Sequence, residues 1–189
     1  MTKAFVLYHS PGARSGRTKM MLDLIGAEYT LVEVDIRANE NRRAEYLAIN
    51  PFGVVPTLVH GDRVILESAA QLMYLADHFP ECGLAPPLGD ERRATYFELF
   101  VLAPATMEPL VIRAWRNPNA PESKKTIREA LGLWADRFDG PFFLGAEMSA
   151  LDVFVHWSLR FFDAQALAEY PDLAAYRTRM DGRLDWNGY

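Results

Sequence analysis

The spacing of apolar residues changes once along this chain, and the change divides it in two. Ala4-Phe5-Val6-Leu7-Tyr8 is a short continuous apolar run and reads as a buried strand. A loop carrying Pro11-Gly12 follows over His9–Ser15, and Arg17–Ile25 then sets Met20, Met21, Leu24 and Ile25 at helical spacing, with Gly26 as the stop. Thr30–Ile36 alternates, with Val32, Val34 and Ile36 on one face, so the pattern predicts a second strand. Asn41–Ile49 reads as a polar helix or irregular turn. Thr57–His60 and Arg63–Leu66 flank Gly61-Asp62, a two-residue hairpin turn with glycine in its first central position. Ala69–Phe79 carries Ala69, Leu72, Met73, Ala76 and Phe79 on one helical stripe, ended by Pro80. The order is β-α-β-α-β-β-α. A first connection through a helix suits a parallel pair, and the hairpin makes the last pair antiparallel.

After Pro80 the period is helical throughout. Residues 81–89 are rich in proline and glycine, with Pro86-Pro87 at the centre, and are read as a linker between a domain over 1–80 and an all-helical domain over 90–189. Helices are predicted at roughly 90–116, 122–139, 149–167 and 172–182. Ser149-Ala150-Leu151-Asp152 ahead of an apolar run is a capping-box signature that starts the third of them. The aromatics Tyr96, Phe97, Phe100, Trp115, Trp134, Phe161 and Phe162 read mostly as core.

Composition narrows the setting. Half of the 189 residues are hydrophobic, enough for a sizeable core, and the net charge of −5 with no basic tail argues against a nucleic-acid partner. The apolar runs read as too short to span a bilayer, and the N-terminus carries no signal-peptide pattern, so a cytoplasmic protein with no membrane partner is expected. The single cysteine, Cys82, excludes intrachain disulfides and cysteine-built metal sites. His9, His60, His78 and His156 lack metal-ligand spacing, and no metal is expected.

The chemistry-bearing stretch is Asn50-Pro51-Phe52-Gly53-Val54-Val55-Pro56-Thr57-Leu58, followed by Leu66-Glu67-Ser68. A proline at the mouth of an apolar strand cannot donate to the ladder and marks an edge, a strand start or a bend. If the Val55–Pro56 bond is cis, the turn can swing the Val55 amide and carbonyl away from the sheet, where an extended peptide pairs with them like another strand. Glu67 and Ser68, at the next strand-to-helix junction, then hold the far end of that peptide. On a plainer reading, Pro56 is an edge proline and Ser68-Ala69-Ala70-Gln71 is only a capping box.

Together with Phe143-Leu144-Gly145 and the capping box through Asp152, these motifs resemble the glutathione transferase family over nearly the whole chain. The resemblance implies a thioredoxin-like first domain holding glutathione and an all-α second domain facing a hydrophobic electrophile, usually in a homodimer. It implies that Val55 beside Pro56 pairs with the tripeptide backbone and that Glu67 and Ser68 fix its γ-glutamyl end. A model thiol with a pKa near ~8.5 is only a few per cent ionised at neutral pH, and lowering that value a hundredfold in acidity takes roughly 3 kcal/mol. A hydroxyl hydrogen bond and a helix N-terminus are of the right size.

The loop Tyr8-His9-Ser10-Pro11-Gly12-Ala13-Arg14-Ser15 matches bacterial members through Pro11-Gly12-Ala13, but Arg14 stands where those members carry a functional cysteine. Ser15, at the start of the first helix, is the first-choice hydroxyl; Ser10 is second, with Tyr8 nearby. Arg14 adds charge for a thiolate or carboxylate. Singly, each serine also reads as an ordinary loop or cap residue, and Arg14, Arg17 and Lys19 as a solvated basic face. Arg42 and Arg43 lie where the family contacts the glycine carboxylate, or form a surface pair. Tyr96, Phe100 and Met107 are candidates for the co-substrate pocket. Gly12–Thr18 also looks like a phosphate-binding loop, but it has three residues between its glycines and no lysine. The function read from the sequence is transfer of glutathione to an electrophile. The alternative is a protein-interaction module that keeps the scaffold without turnover.

Overall fold

The computed structural model describes residues 4–117, 119–187 and 189. Its contacts divide the chain into two units, Met1–Cys82 with Trp186–Tyr189, and Gly83–Asp185. The last residues thus pack with the first unit, although sequence order groups them with the helical half.

In the first unit, strands β1 (Phe5–His9), β2 (Tyr29–Glu33), β3 (Thr57–His60) and β4 (Arg63–Ile65) form one sheet in the order β2-β1-β3-β4. β1 and β2 are parallel across helix α1 (Ser15–Leu24); β1–β3 and β3–β4 are antiparallel. A four-residue helix, α2 (Ala44–Leu47), precedes β3, and α3 (Ser68–His78) follows β4. Sheet and helices bury Leu7, Leu58, Met21, Leu22, Leu72 and Leu75. β2 is shorter than its alternation predicts. It stops at Glu33 and Ile36 is exposed, because an edge strand packs against a neighbour on one side only.

The second unit is helical: α4 (Arg92–Leu102), α5 (Glu108–Arg116), α6 (Pro121–Ala135), α7 (Ala150–Leu159), α8 (Ala164–Ala168) and α9 (Pro171–Asp181). α4 and α5 are joined by a π-helical turn over Ala103–Met107 that holds Pro104. The continuous run Arg92–Arg116 is 25 residues long and passes the length and composition test for crossing a bilayer, a test that the core helix of a soluble protein also passes. Its stripe of Tyr96, Leu99, Phe100, Ala103, Met107 and Ala114 is buried in this unit. The predicted helix over 149–167 breaks in two, because Asp163 caps α8 by accepting from the Ala166 amide at 2.6 Å.

The capping box forms as the sequence specifies. Asp152 accepts from the Ser149 amide at 2.8 Å and its hydroxyl at 2.9 Å, and its other oxygen accepts from the Phe143 amide at 3.0 Å. One buried carboxylate thereby starts α7 and ties down the Phe143-Leu144-Gly145 turn. Three aromatics expected in the core lie instead at the surface of this unit: Trp115 at 71% exposure, Phe161 at 59% and Phe97 at 44%.

Candidate functional site

Three chain segments meet at one end of the sheet. Continuing the antiparallel register of β1 and β3 past their last pair, Tyr8 with Thr57, brings Ser10 level with Val55. Continuing β3 and β4 past Leu58 with Ile65 brings Pro56 level with Glu67 and Val55 level with Ser68. The residues singled out in the sequence therefore share one locus, although Ser10 and Ser68 are far apart in the chain.

The Val55–Pro56 peptide is cis. Among the described residues the amide and carbonyl of Val55 have no hydrogen-bond partner, while its neighbours on both sides are held. Asn50, fully buried, donates to the Val54 carbonyl at 2.8 Å and to the Thr57 hydroxyl at 2.9 Å, and accepts from the Phe52 amide. The Tyr46 hydroxyl donates to the same Val54 carbonyl at 2.6 Å. Gly53 has a φ of +59°, and a Cβ there would sit 2.8 Å from both the Asn41 carbonyl oxygen and Arg42 Nη1. Glycine is required by conformation and by space. Arg42 donates to the Phe52 carbonyl at 3.2 Å and Arg43 pairs with Glu40 at 2.9 Å, so both guanidinium groups hold this loop and its approach.

At the start of α3, Glu67 is exposed with φ 65° and ψ 116°, a conformation that costs a non-glycine residue on the order of 1–3 kcal/mol. Ser68 opens the helix and is buried. The capping-box reading of Ser68 and Gln71 is corrected. The Gln71 side chain does not turn back to cap α3; its amide donates to the Ile65 carbonyl at 2.7 Å and the Pro56 carbonyl at 3.4 Å, and its oxygen accepts from Thr18 at 2.6 Å. Gln71 therefore ties α1, β4 and the cis-proline together.

The loop after β1 is closed by Ser15. Its hydroxyl accepts from the Ser10 amide at 3.0 Å and donates to the Ser10 carbonyl at 3.1 Å, and the residue is fully buried. Its only proton is thereby committed within the protein. The Ser10 hydroxyl has no partner among the described residues. Arg14 precedes α1 and is exposed, while Arg17 is 2% exposed and reaches Ser68 Oγ at 3.5 Å, so the reading of Arg17 as a solvated charge is corrected. The buried His9 ring adjoins this loop. Burial, then the Lys19 charge, holds its pKa below the ordinary value against the opposing pull of Glu33 and the Ser15 backbone. Tyr8 lies edge-on to Tyr46 with centroids 5.6 Å apart.

Asn50, Thr18, Gln71 and Arg17 supply most of the support, and the sequence reading assigns that role to none of them. Each stands in a stretch read for another reason: Asn50 in the Asn-Pro-Phe-Gly run, Arg17 and Thr18 in the glycine loop, and Gln71 in the capping box. Tyr96, Phe100 and Met107 do not line an open pocket within their unit: all three are buried at 0–1% exposure. Among the described residues no three metal-ligating side chains cluster.

A family model described as the glutathione S-transferase N-terminal domain matches residues 3–77. Glutathione S-transferase 1 of Dianthus caryophyllus is 37% identical over 94 residues, 50% of this chain and 42% of that protein. The chain thus spans under half the length of some curated relatives. Glutathione S-transferase A of Pleuronectes platessa is 30% identical over 161 residues, 76% of this chain and 71% of that one. Among solved structures, a glutathione transferase homologue from Sulfitobacter with bound glutathione has a TM-score of 0.81 at 26% identity, covering 95% of this chain and 93% of its own. A glutathione transferase from Methylococcus capsulatus gives 0.81 at 30%, covering 95% and 94%. With the sheet order, the cis-proline and these matches in hand, the chain belongs to the glutathione S-transferase family.

Proposed function

We propose that this protein binds reduced glutathione and transfers it to a hydrophobic electrophile. The observation that carries the reading is the Val55 backbone, whose amide and carbonyl have no partner among the described residues while the Val54 and Pro56 carbonyls on either side are held. An extended tripeptide docks there as an added strand. Ser68 and Glu67 take the γ-glutamyl amine and carboxylate at the N-terminus of α3, and Arg14 adds positive charge near the start of α1. Pro56 fixes the turn. The hydroxyl we assign to the thiolate is Ser10, because the Ser15 proton already belongs to the Ser10 carbonyl. Ser15 acts by holding Ser10 in place. In the reaction the thiolate sulfur forms a bond to the electrophilic carbon, the leaving group departs with the bonding pair, and the thiol proton passes to solvent. A homodimer working in the cytoplasm in a detoxifying role is part of the same proposal.

The test is calorimetric titration with glutathione, followed by conjugation of an aromatic halide at saturating glutathione. Saturable binding with turnover is the expected result. Absence of binding overturns the reading. Binding without turnover favours the alternative, an interaction module on the same scaffold, and the replacement of a family cysteine by Arg14 is the feature that would explain it.

A further inference from the structure

The mechanism above leaves unused a cluster on the outer side of α1. The Asp23 carboxylate accepts from three donors: the Tyr189 hydroxyl at 2.5 Å, the Tyr29 hydroxyl at 2.7 Å and Lys19 Nζ at 3.0 Å. Lys19 Nζ also lies 3.9 Å over the centre of the Tyr189 ring, and Tyr189 meets the buried Trp186 edge-on at 5.8 Å. Burial works against ionisation of Asp23, and the two hydroxyls with Lys19 outweigh it and keep its pKa below the usual carboxylate value. The Asp23 carboxylate at the hydroxyl and the Lys19 cation over the ring hold this tyrosine side chain from two sides.

The backbone of that tyrosine reaches the loop after β1. The Gly12 amide donates to the Tyr189 carbonyl at 3.1 Å. Other bonds of this loop run inward, among them Ala13 to Ser10 and the pair between Ser15 and Ser10. Gly12, with φ +75°, turns its amide out of the loop to Tyr189. The loop is thus held from inside by Ser15 and from outside by Tyr189.

We infer that Tyr189 is a positioning residue for the proposed thiolate site: anchored on Asp23 and Lys19, it fixes the Gly12 tip and with it the placement of the Ser10 hydroxyl. The inference rests on the proposed glutathione reading. Tyr189 touches no substrate in this scheme and acts through Gly12. Its loss should lower turnover and weaken stabilisation of the thiolate without weakening capture of the tripeptide by Val55, Glu67 and Ser68.

The experiment compares the parent chain with Tyr189→Ala, Tyr189→Phe and Asp23→Asn. It measures kcat, KM for glutathione, the pH dependence of thiolate absorbance on the bound peptide, and Tm. Tyr189→Ala should lower kcat about tenfold, the scale of a small misplacement of a catalytic group, with KM for glutathione changed less than about threefold. The thiolate titration should move to higher pH. Tyr189→Phe and Asp23→Asn should give the same shift to a smaller degree, since each keeps the ring or its surroundings. If wild-type protein shows a thiolate signal and all three variants match it in kcat and titration, the inference is overturned alone. A wild-type protein with no thiolate signal overturns the glutathione reading, and the inference falls with it.

Discussion

Ser15 and Ser10 are bonded twice, the Ser15 hydroxyl taking the Ser10 amide at 3.0 Å and giving its proton to the Ser10 carbonyl at 3.1 Å. The serine that ranks first in the sequence is thus the one whose proton is already committed inside the protein. Ser15→Ala leaves a buried amide without its acceptor and should cost about 1–3 kcal/mol in urea unfolding, with activity reduced through the loop. Ser10→Ala removes a hydroxyl with no partner among the described residues and should change stability by less than about 0.5 kcal/mol. Its activity should nevertheless fall by about tenfold or more. If Ser15→Ala is fully stable, or Ser10→Ala fully active, the division of roles is wrong.

Gln71 provides a second measurement. Its side chain joins Thr18, Ile65 and Pro56, and Gln71 and Thr18 are both fully buried. Gln71→Ala strips partners from buried polar groups on three segments and should cost about 2–3 kcal/mol. In a double-mutant cycle, Thr18→Val and Gln71→Ala should couple by at least about 0.5 kcal/mol. Simple additivity would mean that the 2.6 Å contact contributes nothing to the fold.

Much of this architecture is legible in the sequence because it depends on period and turn chemistry. The alternation of β3 and β4 about Gly61-Asp62 fixes their pairing, and the helix between β1 and β2 makes them parallel. The shared locus of Val55, Glu67 and Ser68 follows from that register. Side-chain partners across segments are not legible in the same way. Arg17 and Gln71 occupy positions that periodicity marks as polar, and whether a polar group on a helix meets water or another segment depends on tertiary packing. The same holds at Gly53, where the need for glycine comes from Arg42 and Asn41. The break between α7 and α8 is not legible, because the hydrophobic period carries through it and one cap, at Asp163, decides it.

Asp152 is the hinge of stability in the helical unit. It satisfies the Ser149 amide and hydroxyl and the Phe143 amide together, all buried. Asp152→Ala loses the cap and exposes two amides to an apolar surrounding, which should cost about 2–4 kcal/mol. Asp152→Asn keeps one acceptor oxygen and should recover part of that loss. Equal denaturation midpoints for Asp152→Ala and the parent chain would show that α7 starts without the capping box.

His156 ties stability to mildly acidic pH. It is fully buried and its Nε2 lies 2.8 Å from Asp181 Oδ1. Burial depresses its pKa below the ordinary 6.5; Asp181 opposes this, while Arg160 and Arg177 add to it. The unfolded chain takes up a proton on this residue as pH falls through about 6.5, whereas the folded chain waits for a lower pH. Unfolding therefore binds protons in that window, and the contribution to stability is complete above it and is lost as pH falls toward the folded value. His9 is depressed in the same direction, and Asp152, raised by burial, works in the opposite one. The comparison with a variant thus carries the test, not the absolute slope. Unfolding free energy measured by urea titration from pH 7.5 to 5.5 should decline less steeply in His156→Gln than in the parent. Parallel declines would assign the acid sensitivity elsewhere.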